Sequence, residues 1–394
     1  MNYTKKQLGQ YIDVLSGFAF KSKDFTNVGI PVIKIKNINP PYVSIEDISC
    51  VPYNIAYQNP KYIIKKGDVL IAMTGSHINQ IASVVGRVGR VRYDDITVLN
   101  QRVGKIINKN DEYSNIDYIY YFLSQYEVKV ELAQKAGGAA NQANISPADI
   151  KNLYFPCPPI EVQNKIATIL SRYDSLIENY QKQIRLLEES AQRLYKEWFI
   201  DLRFPGHENT KIVDGVPEGW EKKTLDSFCN VFTGKKNANQ GVSNGKYKFF
   251  TCGDTPLLIN SYIYDGPAII ISGNGSYTGR TTFYKGKFDL YQRTYACIMK
   301  DMQDENLIYG LFEIVKCELT NKISGGTHGA AIPYIVMSDV TKFDFLYEEN
   351  IMQRFSSIMH NILSESLSLL NQIRHLTEAR DRLLPKLMSG EIEI

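Results

Sequence analysis

The chain carries the same series of local patterns twice, and this internal duplication restricts its possible folds more than any single motif does. Five patterns occur in the same order in residues 1–200 and in residues 201–394. The matched pairs are Leu8 and Gly17 with Leu225 and Gly234, the apolar stretches Tyr62–Gly75 with Tyr262–Gly273, Gln101-Arg102 with Gln292-Arg293, Gly137-Gly138 with Gly325-Gly326, and Ile184-Arg185 with Ile373-Arg374. A period of roughly 190 residues is too long for a solenoid repeat. The sequence therefore predicts a duplicated domain.

Length and composition predict a soluble protein of two or three domains. The chain has 394 residues, of which 44% are hydrophobic, so it can bury substantial cores. Its six cysteines are scattered without the spacing of a zinc site or a disulfide framework, which indicates reduced thiols and a cytoplasmic location. The first residues form no apolar signal segment, and no apolar run approaches the roughly 18 residues of a membrane span, so no membrane partner is expected.

The charge pattern favours local basic clefts over a basic surface. The net charge is only +3, which excludes a chain uniformly covered with lysine and arginine. Basic residues nevertheless cluster at corresponding places in the two halves: Arg87, Arg90, Arg92 and Arg102 in the first, and Arg280, Lys285, Lys287 and Arg293 in the second. Any anionic partner is therefore expected at two defined places.

Hydrophobic periodicity predicts an α+β domain in each half. In the first half we expect strands at Val32–Ile38, Asp68–Met73 and Val103–Ile107, and a helix over Asp117–Lys135 that ends at Gly137-Gly138. In the second half we expect strands at Ala268–Ser272 and Thr294–Met299, and a helix around Ile308, Leu311, Phe312, Val315 and Leu319 that ends at Gly325-Gly326.

Each half also ends in a long helix with a seven-residue apolar repeat, the pattern of a coiled-coil seam. The first seam consists of Ile166, Tyr173, Tyr180, Leu187 and Leu194 with Leu170, Ile177, Ile184, Ala191 and Trp198. The second consists of Phe355, Ile362, Leu369, Leu376 and Leu383 with Met359, Ser366, Ile373, Arg380 and Leu387. Ser366 and Arg380 interrupt the apolar rows of the second seam.

Two seams of similar length in one chain predict an antiparallel coiled coil that separates two similar globular domains about a pseudo-two-fold axis. The expected boundaries are residues 1–155 for the first domain, 156–202 for the central helix, 203–347 for the second domain and 348–394 for the C-terminal helix. Two alternatives remain open: each seam could pack on its own domain, or on a second copy of the chain.

One short motif points to an enzyme. Asn39-Pro-Pro-Tyr42 is the signature in which amino-methyltransferases hold the amine that they methylate. Such enzymes also need a glycine-rich turn for S-adenosylmethionine after a parallel strand, and the sequence contains none. We therefore expect a Pro-Pro turn between strands. Phosphate-binding loops and nucleophile elbows are also absent, so the sequence predicts no catalytic residue, no metal ligand and no cofactor.

Polar loops lie beside the repeated strands in both halves and form the candidate binding sites. Asn, Gln, Arg, Ser and Thr side chains pair with base edges and phosphates. The two halves place such loops at corresponding positions but fill them with different residues, which suits two readers of two different sequences. The predicted DNA-binding residues are Thr74, Ser76, His77, Asn79, Gln80, Arg87, Arg90, Asn100, Gln101, Arg102, Asn141, Gln142 and Asn144, and in the second half Asn274, Ser276, Tyr277, Arg280, Gln292, Arg293, Thr327 and His328.

Four longer sequence motifs make the chain similar to a known family. Pro158-Pro-Ile-Glu-Val-Gln163 opens the central helix and Leu194-Tyr-Lys-Glu-Trp-Phe-Ile-Asp-Leu-Arg-Phe204 closes it. Val216-Pro-Glu-Gly-Trp220 opens the second domain, and Arg382-Leu-Leu-Pro-Lys-Leu-Met-Ser-Gly-Glu391 ends the chain. In this order, within a duplicated architecture, they resemble the specificity subunit of type I restriction–modification systems. The second helix lacks the Pro-Pro start of the first, so its first residue is not defined by this comparison.

The resemblance implies two target-recognition domains, each of which reads one half of a bipartite site in double-stranded DNA. It further implies that the paired helices act as a spacer and bind two methyltransferase subunits, which a restriction and translocation subunit joins. The methyltransferase subunits would hold S-adenosylmethionine, and this chain would be a non-catalytic recognition subunit. Two rival hypotheses are a stand-alone DNA adenine methyltransferase that uses Asn39-Pro-Pro-Tyr42, and a coiled-coil scaffold without a role in DNA binding.

Overall fold

A computed structural model describes residues 3–75, 85–137, 143–301, 305–324 and 334–394, with the backbone alone at residues 323 and 324. The chain divides into two compact units. Unit 1 is Met1–Glu178 together with Ile373–Ile394, and unit 2 is Asn179–Gln372. Each unit therefore combines one globular domain with parts of both long helices. In the part of the chain that the structure describes, no helix is both long enough and apolar enough to cross a membrane.

Unit 1 is a mixed unit of short strands and helices. Its strands are β1 Lys5–Gln7, β2 Ile12–Ser16, β3 Ile30–Ile33, β4 Ile38–Asn39, β5 Tyr42–Val43, β6 Cys50–Val51, β7 Ile63–Ile64, β8 Val69–Ala72, β9 Thr74–Gly75, β10 Val88–Arg90, β11 Thr97–Leu99, β12 Val103–Asn108, β13 Ala143–Asn144 and β14 Tyr154–Pro156. Its helices are α1 Tyr53–Tyr57, α2 Ile116–Ser124, α3 Tyr126–Lys135, α4 Pro147–Lys151 and the first part of α5 Ile160–Tyr195.

The main sheet of unit 1 has the strand order β2-β12-β8-β10-β5-β4. Its neighbours are antiparallel except β10 and β5, which run parallel. A second sheet has the order β6-β3-β11-β7, and β1 pairs with β14. The β1–β14 pair ties the start of the chain to the strand that leads into α5.

Unit 2 repeats this plan. Its strands are β15 Ile212–Val213, β16 Val216–Pro217, β17 Glu221–Thr224, β18 Cys229–Thr233, β19 Tyr247–Phe250, β20 Leu257–Ile259, β21 Tyr264–Ser272, β22 Thr281–Leu290, β23 Thr294–Met299 and β24 Asp344–Tyr347. Its helices are the end of α5, extended by a π-helical turn at Lys196–Ile200, then α6 Leu225–Phe228, α7 Leu307–Ser324, α8 Met337–Thr341 and the first part of α9 Glu349–Ser389.

The main sheets of the two units agree in their first four strands. The main sheet of unit 2 has the order β18-β23-β21-β22-β19-β20. It again contains one parallel pair, β19 with β22, next to its outermost strand, although β20 follows β19 in the chain whereas β4 precedes β5. The antiparallel pair β17–β24 corresponds to β1–β14. This match confirms the duplication that the sequence predicted.

The central strand of each main sheet is buried on both faces, since alternate residues of a strand point to opposite sides. In unit 1 the two faces of β8 are Val69 with Ile71 and Leu70 with Ala72. In unit 2 the two faces of β21 are Ile269 with Ile271 and Ala268 with Ile270. Burial on both sides holds these strands firmly, so the residues that follow β8 and β21 start from fixed positions.

The glycines of the first repeated pattern permit a close approach between strands. A Cβ atom at Gly17 would collide with the backbone carbonyl of Asn100, and one at Gly234 would collide with that of Leu290. Only glycine fits where the backbone comes so near. The pattern therefore marks the same crossing point in both units.

The long helices pair within the chain. In unit 1, Ile166 and Leu170 of α5 share a buried cluster with Leu387 and Met388 of α9. Further along α5, Asp174 meets Arg380, so the two helices run antiparallel. In unit 2, Trp198 packs on Phe355 with ring centroids 5.9 Å apart. These contacts confirm the predicted antiparallel seam. The ends of both helices also pack on the globular domains. The alternative in which each seam packs on its own domain is therefore partly correct.

Two local predictions need correction, and the structure defines one helix start that the sequence left open. The predicted strand Val32–Ile38 ends at Ile33, because the side chain of Asn37 accepts a hydrogen bond from the backbone N–H of Lys34 (3.0 Å) and closes a helical turn. The predicted helix Asp117–Lys135 is two helices, since Gln125 has an extended backbone. The C-terminal helix begins at Glu349, where the Glu348 carboxylate accepts the Ile351 N–H (2.8 Å).

Candidate nucleic-acid interface

The edge that follows the central strand has the same framework in both units. In unit 1 the backbone N–H of Met73 donates to the carbonyl of Arg102 (2.9 Å), and β9 pairs with β13. In unit 2 the N–H of Gly273 donates to the carbonyl of Arg293 (2.8 Å). An isolated bridge between Asn274 and Tyr334 there takes the place of the β9–β13 pair. The framework thus places one exposed arginine, preceded by a glutamine, at the same point of each unit.

In unit 1 three predicted residues form one hydrogen-bonded cluster, which we call the Arg102 cluster: Thr74, Arg102 and Asn144. The Thr74 hydroxyl donates to Oδ1 of Asn144 (2.8 Å). Nη1 of Arg102 donates to the same Oδ1 (3.2 Å) and to Oγ1 of Thr74 (3.3 Å). Thr74 is buried and Asn144 is half-buried, whereas Arg102 is exposed. The structure therefore brings together residues that are far apart in the sequence.

Gln101 and Asn100 adjoin this cluster. Gln101 is exposed, and its backbone N–H donates to the carbonyl of Phe18 (2.9 Å). Asn100 is half-buried, and its backbone N–H donates to the carbonyl of Ile33 (3.1 Å). The main chain of both residues is thus fixed by neighbouring elements while the Gln101 side chain reaches solvent.

Arg87 and Arg90 have different environments. Arg90 is only 5% exposed, pairs with the carboxylate of Asp117 and stacks 4.6 Å from the ring centre of Tyr120. Because its guanidinium is already paired within unit 1, Arg90 is not available to contact DNA. Arg87 is half-buried. Burial, and then the nearby charge of Arg87, lower the pKa of Lys129, so two basic side chains lie close together here.

In unit 2 the structure holds Arg280 in a defined orientation. Its Nη1 donates to Oδ1 of Asp254 (2.8 Å), its Nη2 donates to the carbonyl of Gly253, and its guanidinium lies 4.5 Å from the ring centre of Tyr277. Ser276, Tyr277, Gln292 and Arg293 are exposed, and Asn274 is half-buried. These residues surround the start of the loop after β21.

Sequence reasoning missed Asp254 and Tyr334. Asp254 orients Arg280 from a loop that carries no motif, and no local signal could have found it. Tyr334 occupies the place of Asn144, and the repeat itself could have located it. Eight predicted residues lie outside the described parts of the chain: Ser76, His77, Asn79, Gln80, Asn141, Gln142, Thr327 and His328.

The Asn39-Pro-Pro-Tyr42 motif forms a turn between antiparallel strands. Asn39 pairs with Tyr42 in the β4–β5 register at the end of the main sheet. This environment differs from the end of a parallel strand that an amino-methyltransferase requires. Among the described residues, no group of three or more His, Cys, Asp or Glu side chains is arranged to hold a metal ion.

Comparison with known proteins agrees with this architecture. The family described as type I restriction modification DNA specificity domain matches residues 1–189 and 217–357. The type I restriction enzyme MjaIX specificity subunit of Methanocaldococcus jannaschii is 28% identical over 95% of this chain and 93% of that protein. The EcoDI specificity subunit of Escherichia coli is 30% identical over 45% of this chain and 39% of that protein.

A solved structure shows the same fold. The crystal structure of the S subunit of a type I restriction–modification system from M. genitalium matches with a TM-score of 0.64 and 16% identity. The match covers 98% of this chain and 96% of that one. It therefore extends over both globular domains and both long helices.

Proposed function

Since the chain belongs to the family of type I restriction–modification DNA specificity domains, we propose that it is the sequence-specificity subunit of a type I restriction–modification enzyme. Its ligand is double-stranded DNA with a bipartite site. The first target-recognition domain, residues 1–155, reads one half of the site, and the second, residues 203–347, reads the other half. The helices of residues 156–202 and 348–394 form the spacer.

One observation carries this proposal: the same edge, on the same framework, bears different polar side chains in the two units. Arg102 and Arg293 lie at equivalent points of the two main sheets, but Thr74 and Asn144 bond the first, whereas Asn274 and Tyr334 hold the corresponding backbone positions in unit 2. Two different half-sites require different polar side chains on a shared backbone framework, because sequence is read by the hydrogen bonds that side chains make to base edges.

The interface that we propose combines base-reading and phosphate-binding side chains. Its members among the described residues are Thr74, Arg87, Asn100, Gln101, Arg102 and Asn144 in the first domain, and Asn274, Ser276, Tyr277, Arg280, Gln292 and Arg293 in the second. The predicted residues outside the described ranges remain predictions. Arginines that contact phosphates would supply most of the affinity, and fixed polar clusters would supply the discrimination.

The chain would act as the recognition part of a larger assembly in the cytoplasm. We propose that the paired helices bind two methyltransferase subunits, which hold S-adenosylmethionine, and that a restriction and translocation subunit joins them. A stand-alone methyltransferase is disfavoured, since Asn39-Pro-Pro-Tyr42 lies in an antiparallel hairpin. A scaffold without DNA binding would give no reason for two exposed polar edges on one framework.

Sequencing that detects methylated bases tests this function. A host that carries the intact gene with its methyltransferase partner should methylate a two-part motif with a fixed gap, and the same host with the gene interrupted should not. Restoring the gene on a plasmid should restore the motif. Identical methylation with and without the intact gene would contradict the proposal.

A further inference from the structure

The two equivalent arginines differ in how they are held. Nη1 of Arg102 donates to Asn144 and to Thr74, at 3.2 and 3.3 Å. Arg293 leaves the same point of unit 2, and among the described residues its guanidinium makes no hydrogen bond or ion pair. A fixed guanidinium is suited to recognising one geometry, whereas a free one can follow a phosphate.

Because Thr74 is buried, the hydrogen bonds within the Arg102 cluster leave only donors on the two side chains that a ligand could reach, Arg102 and Asn144. Oδ1 of Asn144 accepts from both Thr74 and Arg102, so both of its lone pairs are used. No described residue accepts a hydrogen bond from Nδ2 of Asn144, or from Nη2 or Nε of Arg102. An amide that normally presents one donor and one acceptor is therefore restricted to donation, next to an arginine that can only donate.

Given the proposed function, we propose that the Arg102 cluster reads a guanine through the major groove. Guanine presents two acceptors there, N7 and O6, which match a guanidinium fork with an amide donor beside it. Adenine and cytosine present an amino group, which would face donors, and thymine offers one acceptor and a methyl group. Asn144, whose Oδ1 is occupied, cannot make the two-bond contact by which a free asparagine selects adenine.

Mapping methylated motifs for variants of the complete enzyme tests this assignment. The wild-type half-site that changes when residues 1–155 are exchanged should contain a guanine. Arg102→Ala should relax discrimination at this one base pair by about 5- to 150-fold, equivalent to ~1–3 kcal/mol, and leave the other half-site unchanged. Arg102→Lys should lose much of the same discrimination, because a lysine cannot form the fork. Arg203→Lys, at an exposed arginine outside the proposed interface, is the matched control, and it should leave both half-sites unchanged.

A second variant changes the pattern of donors while keeping the size of the side chain. Asn144→Asp replaces the amide donor by a carboxylate, which would pair with Arg102 and present acceptors towards the base. Its guanine preference should fall at least as far as that of Arg102→Ala. Thermal unfolding should show that both variants remain folded, since Arg102 is exposed and Asn144 is half-buried.

Three outcomes would overturn the assignment. If Arg102→Ala weakens methylation of every sequence equally and lowers the salt dependence of binding, the arginine contacts a phosphate. If the motif is unchanged in both variants, the cluster does not touch the bases. If the half-site contains no guanine, the assignment of guanine to the Arg102 cluster is wrong, but the proposed function is unaffected. Failure of the function itself would show differently, as the absence of any two-part motif in the wild type.

Discussion

Replacing Arg380 by alanine should destabilise unit 1 by roughly 2–4 kcal/mol, because it leaves a buried carboxylate without its partner. Arg380 interrupts the apolar row of α9, and the structure gives the reason. Its Nη1 donates to Oδ1 of Asp174 (2.8 Å), and the side chain of Asp174 is only 1% exposed. The Tyr121 hydroxyl also donates to Asp174 (2.6 Å). This remaining hydrogen bond should offset part of the ~3–5 kcal/mol that an orphaned buried charge costs.

The duplication supplies a matched double variant. The match of Ile184 with Ile373 makes Leu363 the counterpart of Asp174, and Ala191 the counterpart of Arg380. Both counterparts belong to the apolar core of unit 2. Asp174→Leu/Arg380→Ala therefore copies the other seam. It should cost only about 1–2 kcal/mol, because apolar groups can replace a buried ion pair while the Tyr121 hydroxyl loses its acceptor. The two positions should show a coupling energy of about 2 kcal/mol or more.

Urea unfolding followed by two spectroscopic probes distinguishes the unfolding transition of unit 1 from that of unit 2. Both tryptophans, Trp198 and Trp220, lie in the core of unit 2, whereas far-ultraviolet circular dichroism reports on both units. Arg380→Ala should shift a circular-dichroism transition by about 1 M urea or more and leave the fluorescence transition in place. Asp381→Asn is the control, because the Asp381 side chain is 56% exposed. A loss below about 1 kcal/mol for Arg380→Ala, or a double variant as unstable as the single one, would refute the reasoning.

Three further changes have defined outcomes. Exchanging residues 1–155 for another first domain should alter one half of the methylated motif, and a change in both halves would contradict separate readers. Arg87→Ala should weaken binding to all sequences and reduce the salt slope by about one, whereas Arg90→Ala should lower the melting temperature, because Arg90 is buried against Asp117. Gly234→Ala should cost ~1–3 kcal/mol of stability through its collision with the Leu290 carbonyl. Gly137→Ala should be close to neutral, because no atom of the described residues lies within 4 Å of the added Cβ.

Features with a repeating sequence pattern could be predicted from the sequence. The seven-residue rows located both long helices, and the matched pairs located the same edge in both units. Thr294–Met299 was predicted with the bounds that the structure has. Such features depend on local periodicity, which burial of one helical face or of alternate strand residues imposes directly.

Features that depend on distant partners could not be predicted. Arg380 pairs with a residue 206 positions away, and Thr74 with one 70 positions away. Arg90 and Arg102 look alike in sequence, yet one lies in a buried ion pair and the other is exposed. The local sequence does not show whether an arginine will form a buried ion pair or stay exposed, because the acidic residue that would pair with it lies elsewhere in the chain. The orientation of Arg280 by Asp254 is a further case.

The spacer role of the helices is tested most directly by lengthening both of them. Seven residues inserted into α5 after Glu178 and seven into α9 after Gln372 would keep the apolar rows in register. Each helix would grow by ~10 Å, which is about three base pairs of DNA at ~3.4 Å each. The methylated motif should keep both half-sites and gain about three base pairs between them. An active variant whose gap stays at the wild-type length would contradict the account.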